Sequence, residues 1–362
     1  MNASEICFIN LDSINVTPYF KYYKELTSEP FDIIYWNRGK GDNSTGARKV
    51  FSYNHPVDHA KTVKWAKQLL TGYLGFRRFA ENLLSKNNYR VVVLLTGNAA
   101  VLLSRVLLKK YKHRYIVDIR DYFLEKNPIY KVIEDKVLDE SALNIISSPA
   151  YRNFLGDHFF QVMHNTPPSL KSYEPDSGKQ KRSLPFVLAA IGTAKNIALD
   201  KAVLNYFAND ERFHLRFYGR GYEILEEYCK DNNINNATII GEFNAKQTLS
   251  FYQDVDVIMS MYGSKKIHFK YQLTNKLYYS VALSIPILVS PDTYMENVVR
   301  KYNLGFALDL NNPTMKEKII RLYDDNTIKI RQSGALRFKE VVRKDNNETK
   351  IKISTVFQSR EF

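Results

Sequence analysis

The segment KYQLTNKLYYSVALSIPILVS, residues 270–290, combines a predicted helix with side chains that can bind an anion. Thr274 can cap this helix, and Pro286 ends it before an apolar run typical of a buried strand. The first backbone N–H groups of a helix carry a partial positive charge that favours a phosphate, and Lys276 in the first turn adds a full charge. With Asn275 beside it, the pattern indicates a phosphate-binding helix end, although an ordinary capped surface helix has the same pattern.

Two other short motifs could contact a phosphate or a metal ion. Gly219-Arg220-Gly221 follows an apolar run, and Arg220 could pair with a phosphate, but the glycines already suit a plain strand-to-helix turn. Asp254 and Asp256 stand at the entrance of a predicted strand, opposite the edge where ligands bind, which favours a structural role. The seven histidines and two cysteines form no metal-binding motif. We therefore predict no metal dependence.

The composition is that of a globular protein with an affinity for anions. The chain has 362 residues, which makes two domains the default expectation. Lysine and arginine number 52 against 38 aspartates and glutamates, a net charge of +14, so we expect an anionic partner. No recognition motif favours nucleic acid. The sequence shows no basic leader and no apolar run long enough to cross a membrane, which predicts a cytosolic protein.

Apolar runs typical of β-strands alternate with helical patterns along both halves of the chain. Val91–Leu95 is the strongest run of the first half, and Val187–Ile191 opens a similar alternation in the second. The runs are continuous and do not alternate with polar residues, which favours parallel sheets covered on both faces. Between the halves, residues 165–183 contain three prolines, four serines and a basic cluster, which is typical of a linker.

This alternation predicts an α/β protein with two doubly wound, Rossmann-like domains that face a central cleft. Ligands of such sheets bind at the carboxyl ends of the strands, so we expect the functional residues there. The predicted divisions are an N-terminal domain 1–165, a linker 166–184, a second domain 185–340, and a helical tail 341–362 that could pack back on the first domain.

The run NKLYYSVALSIPILVSPDTYMENVVRKYNLGFALD, which begins at Asn275, resembles the C-terminal half of GT-B-fold glycosyltransferases. It is most similar to bacterial polysaccharide enzymes related to glycosyltransferase family 4. The upstream segments HLRFYGRG, ATIIGEF and DVDVIMSMY have that family's spacing, and DIRDYF (118–123) resembles its "RDlwP" stretch. The resemblance is specific in residues 214–309. It implies the GT-B fold and a nucleotide-sugar donor bound by the second domain.

The resemblance also implies roles for residues of the second half, which lie in turns after strands or at the starts of helices. The diphosphate is assigned to Gly192, Lys195, Asn275 and Lys276, the nucleobase to Glu242 and Phe243, and the ribose or phosphates to Thr293 and Glu296. Arg220 and Tyr279 complete the implied nucleotide-sugar site.

Tyr279 departs from the family pattern. Many retaining members carry two glutamates eight positions apart, the second of which binds the ribose hydroxyls, and here these positions hold Tyr271 and Tyr279. A tyrosine hydroxyl could still bind a sugar and its ring could stack on one, or Tyr279 could simply be a core residue. The missing carboxylates leave the donor, the stereochemistry and the activity open.

The segment DIRD, residues 118–121, ends a buried strand of the first half. Arg120 and Asp121 therefore lie at the mouth of the first sheet and are the candidate catalytic residues. Asp121 could take the proton of an acceptor hydroxyl if the reaction inverts, or position the acceptor if it retains. An Arg–Asp ion pair that fixes the loop is the alternative. The residues assigned to the acceptor side, after the first strand at the same edge, are Asn10, Asp12 and Asn15.

Two basic segments predict contact with an anionic membrane surface. Residues 61–86 carry six basic residues against Glu81, and residues 104–115 add a second basic run. Basic amphipathic segments with aromatic residues bind such surfaces, where each basic residue can add ~1 kcal/mol. A core-packing helix with a solvated basic face explains the same pattern, and Gly72 and Gly75 weaken the case for one long helix.

Together these features predict a metal-independent hexosyl- or related glycosyltransferase that needs no cofactor. It would move a sugar from a UDP- or GDP-sugar to a lipid-linked saccharide in bacterial polysaccharide or capsule assembly, and would lie in the cytoplasm on the inner face of the cell membrane, with no nucleic-acid partner. One alternative is a GT-B sugar-nucleotide epimerase, which needs no lipid acceptor. Another is a catalytically silent subunit that binds a sugar nucleotide or a glycan, which the missing carboxylates would allow.

Overall fold

The computed structural model of the protein describes residues 5–14, 17, 19–39, 46–57, 63–170, 184–244 and 247–360. The chain folds into two compact units. The first comprises Met1–His164 together with Lys344–Phe362, and the second comprises Asn165–Arg343.

The first unit contains a seven-stranded sheet in the order β3-β2-β1-β4-β5-β6-β7, and neighbouring strands pair in parallel. Its strands are β1 (Ile6–Asn10), β2 (Phe31–Asn37), β3 (Lys49–Asn54), β4 (Val91–Leu94), β5 (Tyr115–Ile119), β6 (Leu143–Ile146) and β7 (Gln161–Val162). Its helices are α1 (Phe20–Lys24), α2 (Val63–Lys86), α3 (Gly97–Leu102), α4 (Ser104–Lys110), α5 (Pro128–Asp139) and α6 (Arg152–Leu155).

The second unit contains a six-stranded parallel sheet in the order β10-β9-β8-β11-β12-β13. Its strands are β8 (Phe186–Ile191), β9 (Phe213–Tyr218), β10 (Ala237–Ile240), β11 (Val257–Ser260), β12 (Ile287–Val289) and β13 (Gly305–Ala307). The helices from here to the C-terminal end are α7 (Ile197–Tyr206), α8 (Ile224–Asp231), α9 (Ile267–Tyr271), α10 (Asn275–Leu283), α11 (Tyr294–Lys301), α12 (Met315–Ile320) and α13 (Asp325–Gln358).

Phe8 on β1 packs in the core of the first unit. Its ring lies edge-on to those of Phe20 and Phe31, with centroids 5.1 and 5.3 Å away. Phe357, near the end of α13, contacts the same ring at 6.4 Å, and Ile353 is buried in the same cluster. Aromatic pairs of this kind add about 0.5–1.5 kcal/mol beyond the burial of their area. The last turns of α13 are therefore part of the first unit's core.

Helices cover both faces of the second sheet. On one face, Leu277 of α10 shares a buried cluster with Phe338 of α13. On the other face, Leu204 of α7, Leu225 of α8 and Ile319 of α12 pack over the strands. Because both faces are covered, the strands are continuously apolar. The prediction of two doubly wound α/β domains is confirmed.

Several elements differ from those that the sequence predicts. β3 was not expected because it is an edge strand whose residues are exposed or half-buried, so it lacks a continuous apolar run. Residues 99–110 have the pattern of a single helix but form two, which are divided at Leu103, whose backbone is not helical. Residues 245–253 also have a helical pattern, and their described part contains a short 3₁₀ turn at Ser250–Tyr252. Within the described part of the chain, no helix is long and apolar enough to cross a membrane.

α2 is one continuous helix of 24 residues, although its two glycines argue against this from sequence. A Cβ atom at Gly72 would lie 2.0 Å from Cζ2 of Trp36, and one at Gly75 would lie 1.9 Å from the hydroxyl oxygen of Tyr53. The glycines therefore let the helix approach two aromatic rings of the neighbouring strands, and this packing offsets their low helix propensity.

Gly334 lets α13 approach the backbone in the same way, because a Cβ atom there would lie 1.6 Å from the carbonyl oxygen of Tyr302. We predict that Gly334→Ala lowers the free energy of unfolding by about 1–3 kcal/mol, since a backbone atom cannot move aside cheaply. Urea unfolding would measure this. Ser333→Ala, at the exposed neighbouring position, is the control and should leave stability unchanged. Equal stability of both variants would contradict the close approach.

Candidate functional site

The turns that follow β8 and β9 are joined by backbone hydrogen bonds. Gly192 N–H donates to the Tyr218 carbonyl at 2.8 Å, and Ala194 N–H donates to that of Arg220 at 3.0 Å. Gly219, with a φ of +133°, approaches so closely that a Cβ atom would lie 2.0 Å from the carbonyl oxygen of Gly192. Only glycine fits there. The two turns therefore form one rigid surface at the carboxyl edge of the second sheet.

Lys276, in the first turn of α10, brings a positive charge to this surface. Its side chain is 6% exposed, and its ammonium donates a hydrogen bond to the Tyr262 hydroxyl. A Cβ atom at Gly192 would lie 3.8 Å from Nζ of Lys276. Because Gly192 has no side chain, its backbone and the ammonium are neighbours. An anion that reached Lys276 here could also approach the backbone of the β8 turn closely.

Polar side chains hold the turns after β8, β11 and β12 together. The Asn196 side-chain amide donates to the Tyr262 carbonyl at 3.0 Å. The backbone N–H groups of Tyr262 and Gly263 donate to the Ser290 hydroxyl at 3.0 and 2.8 Å. The Thr274 hydroxyl lies 3.0 Å from that of Ser260 and anchors the start of α10 beside β11. These bonds therefore hold the start of α10 beside β11, and hold Tyr262, the hydrogen-bond partner of Lys276, beside the turns after β8 and β12.

Asp200, in α7, is a buried carboxyl group in the electrostatic field of Lys276. It is 5% exposed, and its Oδ2 has no hydrogen-bond partner within the parts of the chain that the structure describes. Burial raises the pKa of Asp200 to about 7, although the Lys276 ammonium acts to lower it. The group is therefore poised between its neutral and charged forms near neutral pH.

Thr293 and Glu296 cap α11. The Thr293 hydroxyl accepts from the Glu296 backbone N–H at 3.2 Å and donates to the Ser290 carbonyl at 2.8 Å. The Glu296 carboxylate accepts from the Asp292 backbone N–H at 2.8 Å. These bonds resemble a capping box, with the Glu296 carboxylate bonded to the N–H of Asp292 and not to that of Thr293. Both side chains therefore have structural partners, and their assignment to the ribose or phosphates stays a prediction.

The remaining polar residues predicted for the donor lie at the same sheet edge but are exposed. They are Lys195, Arg220, Glu242 and Asn275. Burial lowers the pKa of His268, and the charges of Lys266 and Lys195 lower it further. The charge of Lys195 therefore lies near α9. Phe243 is half-buried, with its ring 4.7 Å from that of Phe251. Of the predicted set, the structure brings together Gly192, Lys276 and the backbone of Arg220.

Tyr279 lies in the core of the second unit. It is 8% exposed, its ring stacks on Tyr252 with centroids 4.7 Å apart, and its hydroxyl lies 3.1 Å from that of Ser169. Packing and this hydrogen bond account for the side chain without a ligand. Of the two roles that the sequence left open, the structure favours the core, and the donor contact stays a prediction.

In the first unit, Arg120 is buried in an ion pair with Asp118. Its Nε lies 2.6 Å from Oδ1 of Asp118, and its Nη1 donates to the Met163 carbonyl at 2.7 Å. The Tyr23 hydroxyl donates to the same carboxylate at 2.6 Å. This network fixes the end of β5, so a structural partner accounts for Arg120. Asp121 is exposed in the loop that follows.

The acceptor-side residues after β1 shape their own loop. Asn10 is buried, and its amide donates to the Asp12 carbonyl at 2.7 Å and to the Thr17 hydroxyl at 2.8 Å. The Asp12 carboxylate accepts from the Ser13 backbone N–H at 2.7 Å. Asn15 lies outside the described residues. Contact of this loop with an acceptor stays a prediction.

No group of three or more His, Cys, Asp or Glu side chains suited to a metal ion occurs among the residues that the structure describes. Asp256 of the D-x-D pair is buried and accepts from the Val187 backbone N–H at 2.8 Å through its carboxylate. Asp254 is exposed at the amino end of β11. Asp256 therefore has a structural partner, and the structural role of Asp254 stays a prediction.

The two basic segments contribute both packing and exposed charge. Lys110 donates to three carbonyls around the end of α2, at 2.7–3.1 Å. Leu70 and Leu74, one turn apart on α2, are 63% and 51% exposed. The exposed Lys67 and Arg78 lie along the same face of the helix by their spacing. This face therefore presents apolar and basic side chains together.

Sequence analysis missed Asp200 and Tyr262, which contact or influence Lys276. The predicted strands and helices place each of them where ligand-binding residues commonly occur. Tyr262 follows the run DVDVIMSM at a carboxyl edge, and Asp200 lies in the first turn of a helix capped by Asn196. Nothing local to either residue indicates its proximity to a lysine far along the chain.

No family model matches the sequence, and no curated protein matches it. Solved structures do match. Sucrose-phosphate synthase from Thermosynechococcus elongatus has a TM-score of 0.66 at 12% identity, covering 98% of each chain. The lipopolysaccharide outer core galactosyltransferase WaaB, in its apo form, has a TM-score of 0.61 at 12% identity, covering 96% of this chain and 98% of its own. HepE from Anabaena, in complex with UDP and glucose, has a TM-score of 0.62 at 12% identity, covering 97% and 100%. The likeness shows that this chain has the GT-B fold.

Asp118 and Asp121 offer a matched test of structural and chemical roles in the first unit. We predict that Asp118→Asn lowers the free energy of unfolding by about 3–5 kcal/mol, because it leaves the Arg120 guanidinium buried without its counter-charge. Asp121→Asn, at an exposed position, should change it by less than about 0.5 kcal/mol. Urea unfolding of both variants measures the difference. Comparable losses would show that the Arg120 ion pair does not carry the stability assigned to it.

Proposed function

We propose that the protein is a glycosyltransferase that uses a nucleotide-sugar donor. The observation that carries the proposal is Lys276, a buried lysine at the start of α10 whose ammonium lies against the Gly192 turn. It offers a cation and backbone N–H groups at the carboxyl edge of a doubly wound sheet, where such folds bind their ligands. The GT-B fold of the sugar transferases described above supports the same function.

In the proposed reaction, the bond between the anomeric carbon and the diphosphate breaks, and the acceptor hydroxyl oxygen bonds to that carbon. Lys276 and the start of α10 stabilise the negative charge that develops on the departing diphosphate. Asp121 takes the hydroxyl proton if the reaction inverts, or positions the acceptor if it retains. Arg120 acts indirectly by holding the end of β5 through Asp118. No step requires a metal ion or a resident cofactor.

The donor that we propose first is a UDP-sugar, with a GDP-sugar as the other possibility. HepE, which is similar in fold, was crystallised with UDP and glucose. In this chain Glu242 and Phe243 follow β10 at the same sheet edge and are the proposed nucleobase contacts. An aromatic ring can stack on either base, so the choice depends on hydrogen bonds that only binding experiments will identify.

The proposed acceptor is a lipid-linked saccharide of bacterial polysaccharide or capsule assembly, used at the inner face of the cell membrane. The exposed face of α2 supports this, because Leu70 and Leu74 lie in line with Lys67 and Arg78. A surface of this kind inserts apolar side chains between anionic headgroups while its basic residues bind the headgroups. The basic segment 104–115 would add to the attraction, apart from Lys110, which is engaged with α2.

A catalytically silent sugar-nucleotide-binding subunit is the second candidate. It is favoured by one observation: Tyr279 stands where many family members have a ribose-binding glutamate, and its hydroxyl is paired with Ser169. Nucleotide binding without turnover, over a range of lipid-linked acceptors, would favour this candidate over the transferase.

Lys276→Met tests the donor site directly. We predict that it weakens binding of the preferred nucleotide among UDP, GDP and CMP at least about tenfold, or about 1.4 kcal/mol, because a charge-assisted contact to phosphate is lost. Isothermal titration calorimetry measures the dissociation constants. Transfer should fall by a similar factor.

Lys301→Met is the matched control, since it removes the same charge from an exposed position of α11. It should leave nucleotide affinity within about twofold, because a distant exposed charge is screened by salt. Equal affinity of the wild-type protein and Lys276→Met would remove Lys276 from the site. Binding of none of the three nucleotides would overturn the proposed function.

The membrane contact is tested with the double variant Leu70→Ser/Leu74→Ser. We predict at least about tenfold weaker binding to vesicles that contain one-third anionic phospholipid, because two apolar side chains no longer insert. Vesicle co-sedimentation measures the affinity, and binding of the wild-type protein should fall as salt is raised. Leu336→Ser, at a leucine that is also 63% exposed but lies in the second unit, is the control. Unchanged vesicle binding of the double variant would exclude this face.

A further inference from the structure

Asp200 is a carboxyl group buried in largely apolar surroundings. The side chains lining the space around its carboxyl group are mainly apolar and include Ala190, Val203, Phe217 and Met259. Its Oδ2 has no hydrogen-bond partner in the described parts of the chain, and its side chain is 5% exposed. Leaving a carboxylate in such surroundings is costly unless a nearby charge compensates it. A hydrophobic residue of similar size would pack there at lower cost, so the carboxyl group calls for a functional explanation.

Three titratable groups of other elements face this carboxyl group. They are Lys276 of α10, Tyr222 before α8, and Tyr262 after β11. Burial raises the pKa of Tyr222, and the Asp200 charge raises it further, so this phenol is neutral at physiological pH. Tyr262 accepts the hydrogen bond of the Lys276 ammonium and lines the same space as Asp200. Lys276 is therefore the cation that compensates Asp200 when it is ionised.

The Lys276 ammonium can thus interact with two different anions. One is the buried carboxylate of Asp200, and the other is the anion that the Gly192 turn would admit beside its ammonium. Both cannot be satisfied fully, because a diphosphate that engages the lysine adds negative charge near the Asp200 carboxylate. The energetically favourable response is for Asp200 to become neutral.

We propose that Asp200 is a positioning residue that couples donor binding to the uptake of one proton. In the free protein its carboxylate partly compensates Lys276; when the diphosphate binds, Asp200 takes a proton from solvent and releases the lysine to the phosphates. No bond other than the O–H bond of the carboxyl group forms. The inference rests on the proposed donor site at Lys276 and adds a regulator to it: donor affinity falls as pH rises.

The sign follows from linkage. The pKa of Asp200 is about 7 in the free protein and is raised further when the anionic donor binds. Below both values the group is protonated in both states and has no effect. Between the two values the complex binds more protons than the free protein, so the dissociation constant rises with pH by up to about tenfold per pH unit. Asp200→Asn removes the proton-binding group and with it this dependence.

The test is calorimetric titration with UDP-glucose at pH 6.0, 7.5 and 8.5, in pairs of buffers with different ionisation enthalpies. The phosphates of UDP-glucose are esterified and do not titrate in this range, so proton uptake reports on the protein. If GDP or CMP is the preferred nucleotide, the corresponding sugar nucleotide is the probe. We expect the wild-type protein to take up close to one proton at pH 8.5 and almost none at pH 6.0.

Asp200→Asn should bind the probe without proton uptake and about thirtyfold more tightly than the wild-type protein at pH 8.5, because Lys276 no longer compensates a carboxylate. Asp254→Asn, at an exposed position, is the matched control and should behave as the wild-type protein does. A purely structural Asp200 would instead lower affinity or stability in its variant equally at every pH.

Lys276→Met gives a second measurement if Asp200→Asn does not fold. Without the ammonium, Asp200 should already be protonated in the free protein near pH 7.5, so the weaker binding that remains should occur with less proton uptake. Probe binding by the wild-type protein with no proton uptake at pH 8.5, or with uptake that both variants retain, would overturn the role of Asp200 and leave the donor site standing. Binding of no sugar nucleotide would overturn both.

Discussion

The close approach of Gly219 to the carbonyl of Gly192 is the constraint on which the candidate site depends. It allows the β8 and β9 turns to form two backbone hydrogen bonds, and a Cβ atom in the gap would force them apart. With the turns joined, the Cα of Gly192 faces the ammonium of Lys276 with no side chain between them. The proposed anion site therefore depends on two glycines with positive φ angles, which keep the surface beside the lysine rigid.

Each unit contains a buried aspartate, Asp118 in the first and Asp200 in the second, and their surroundings differ. In the first unit, Asp118 receives hydrogen bonds or ion pairs from Arg120 and Tyr23, and the network holds one loop in one conformation. In the second, Asp200 faces Lys276 without a hydrogen bond to Oδ2 in the described part of the chain. A carboxylate in direct contact with its counter-ion is held rigidly, whereas one that interacts with a cation only through the electrostatic field can respond when a third charge arrives. Because of this difference, we assign a structural role to Asp118 and propose a regulatory role for Asp200.

Much of the fold could be predicted because its signals are local. The continuous apolar runs of β4 and β8 and the Thr274–Pro286 boundaries of α10 mark elements that the structure reproduces within one or two residues. β3 could not be predicted, because an edge strand does not need a continuous apolar run. Lys276 could be found from its place at a helix start, but its partner Asp200 could not, since that pairing is made by the fold and leaves no trace in spacing.

The tyrosine at position 279 makes the balance of charge around Lys276 more important. In many of the enzymes that the sequence resembles, a glutamate at this helical position binds the ribose hydroxyls, whereas Tyr279 is buried and its hydroxyl lies 3.1 Å from that of Ser169. If the chain binds a sugar nucleotide, affinity must then come mainly from the phosphates, through Lys276 and the backbone of the neighbouring turns. When donor affinity depends on one lysine, it changes with every other charge that interacts with that lysine. Asp200 carries one such charge, so its proposed protonation would set how much of the Lys276 charge is available to the donor.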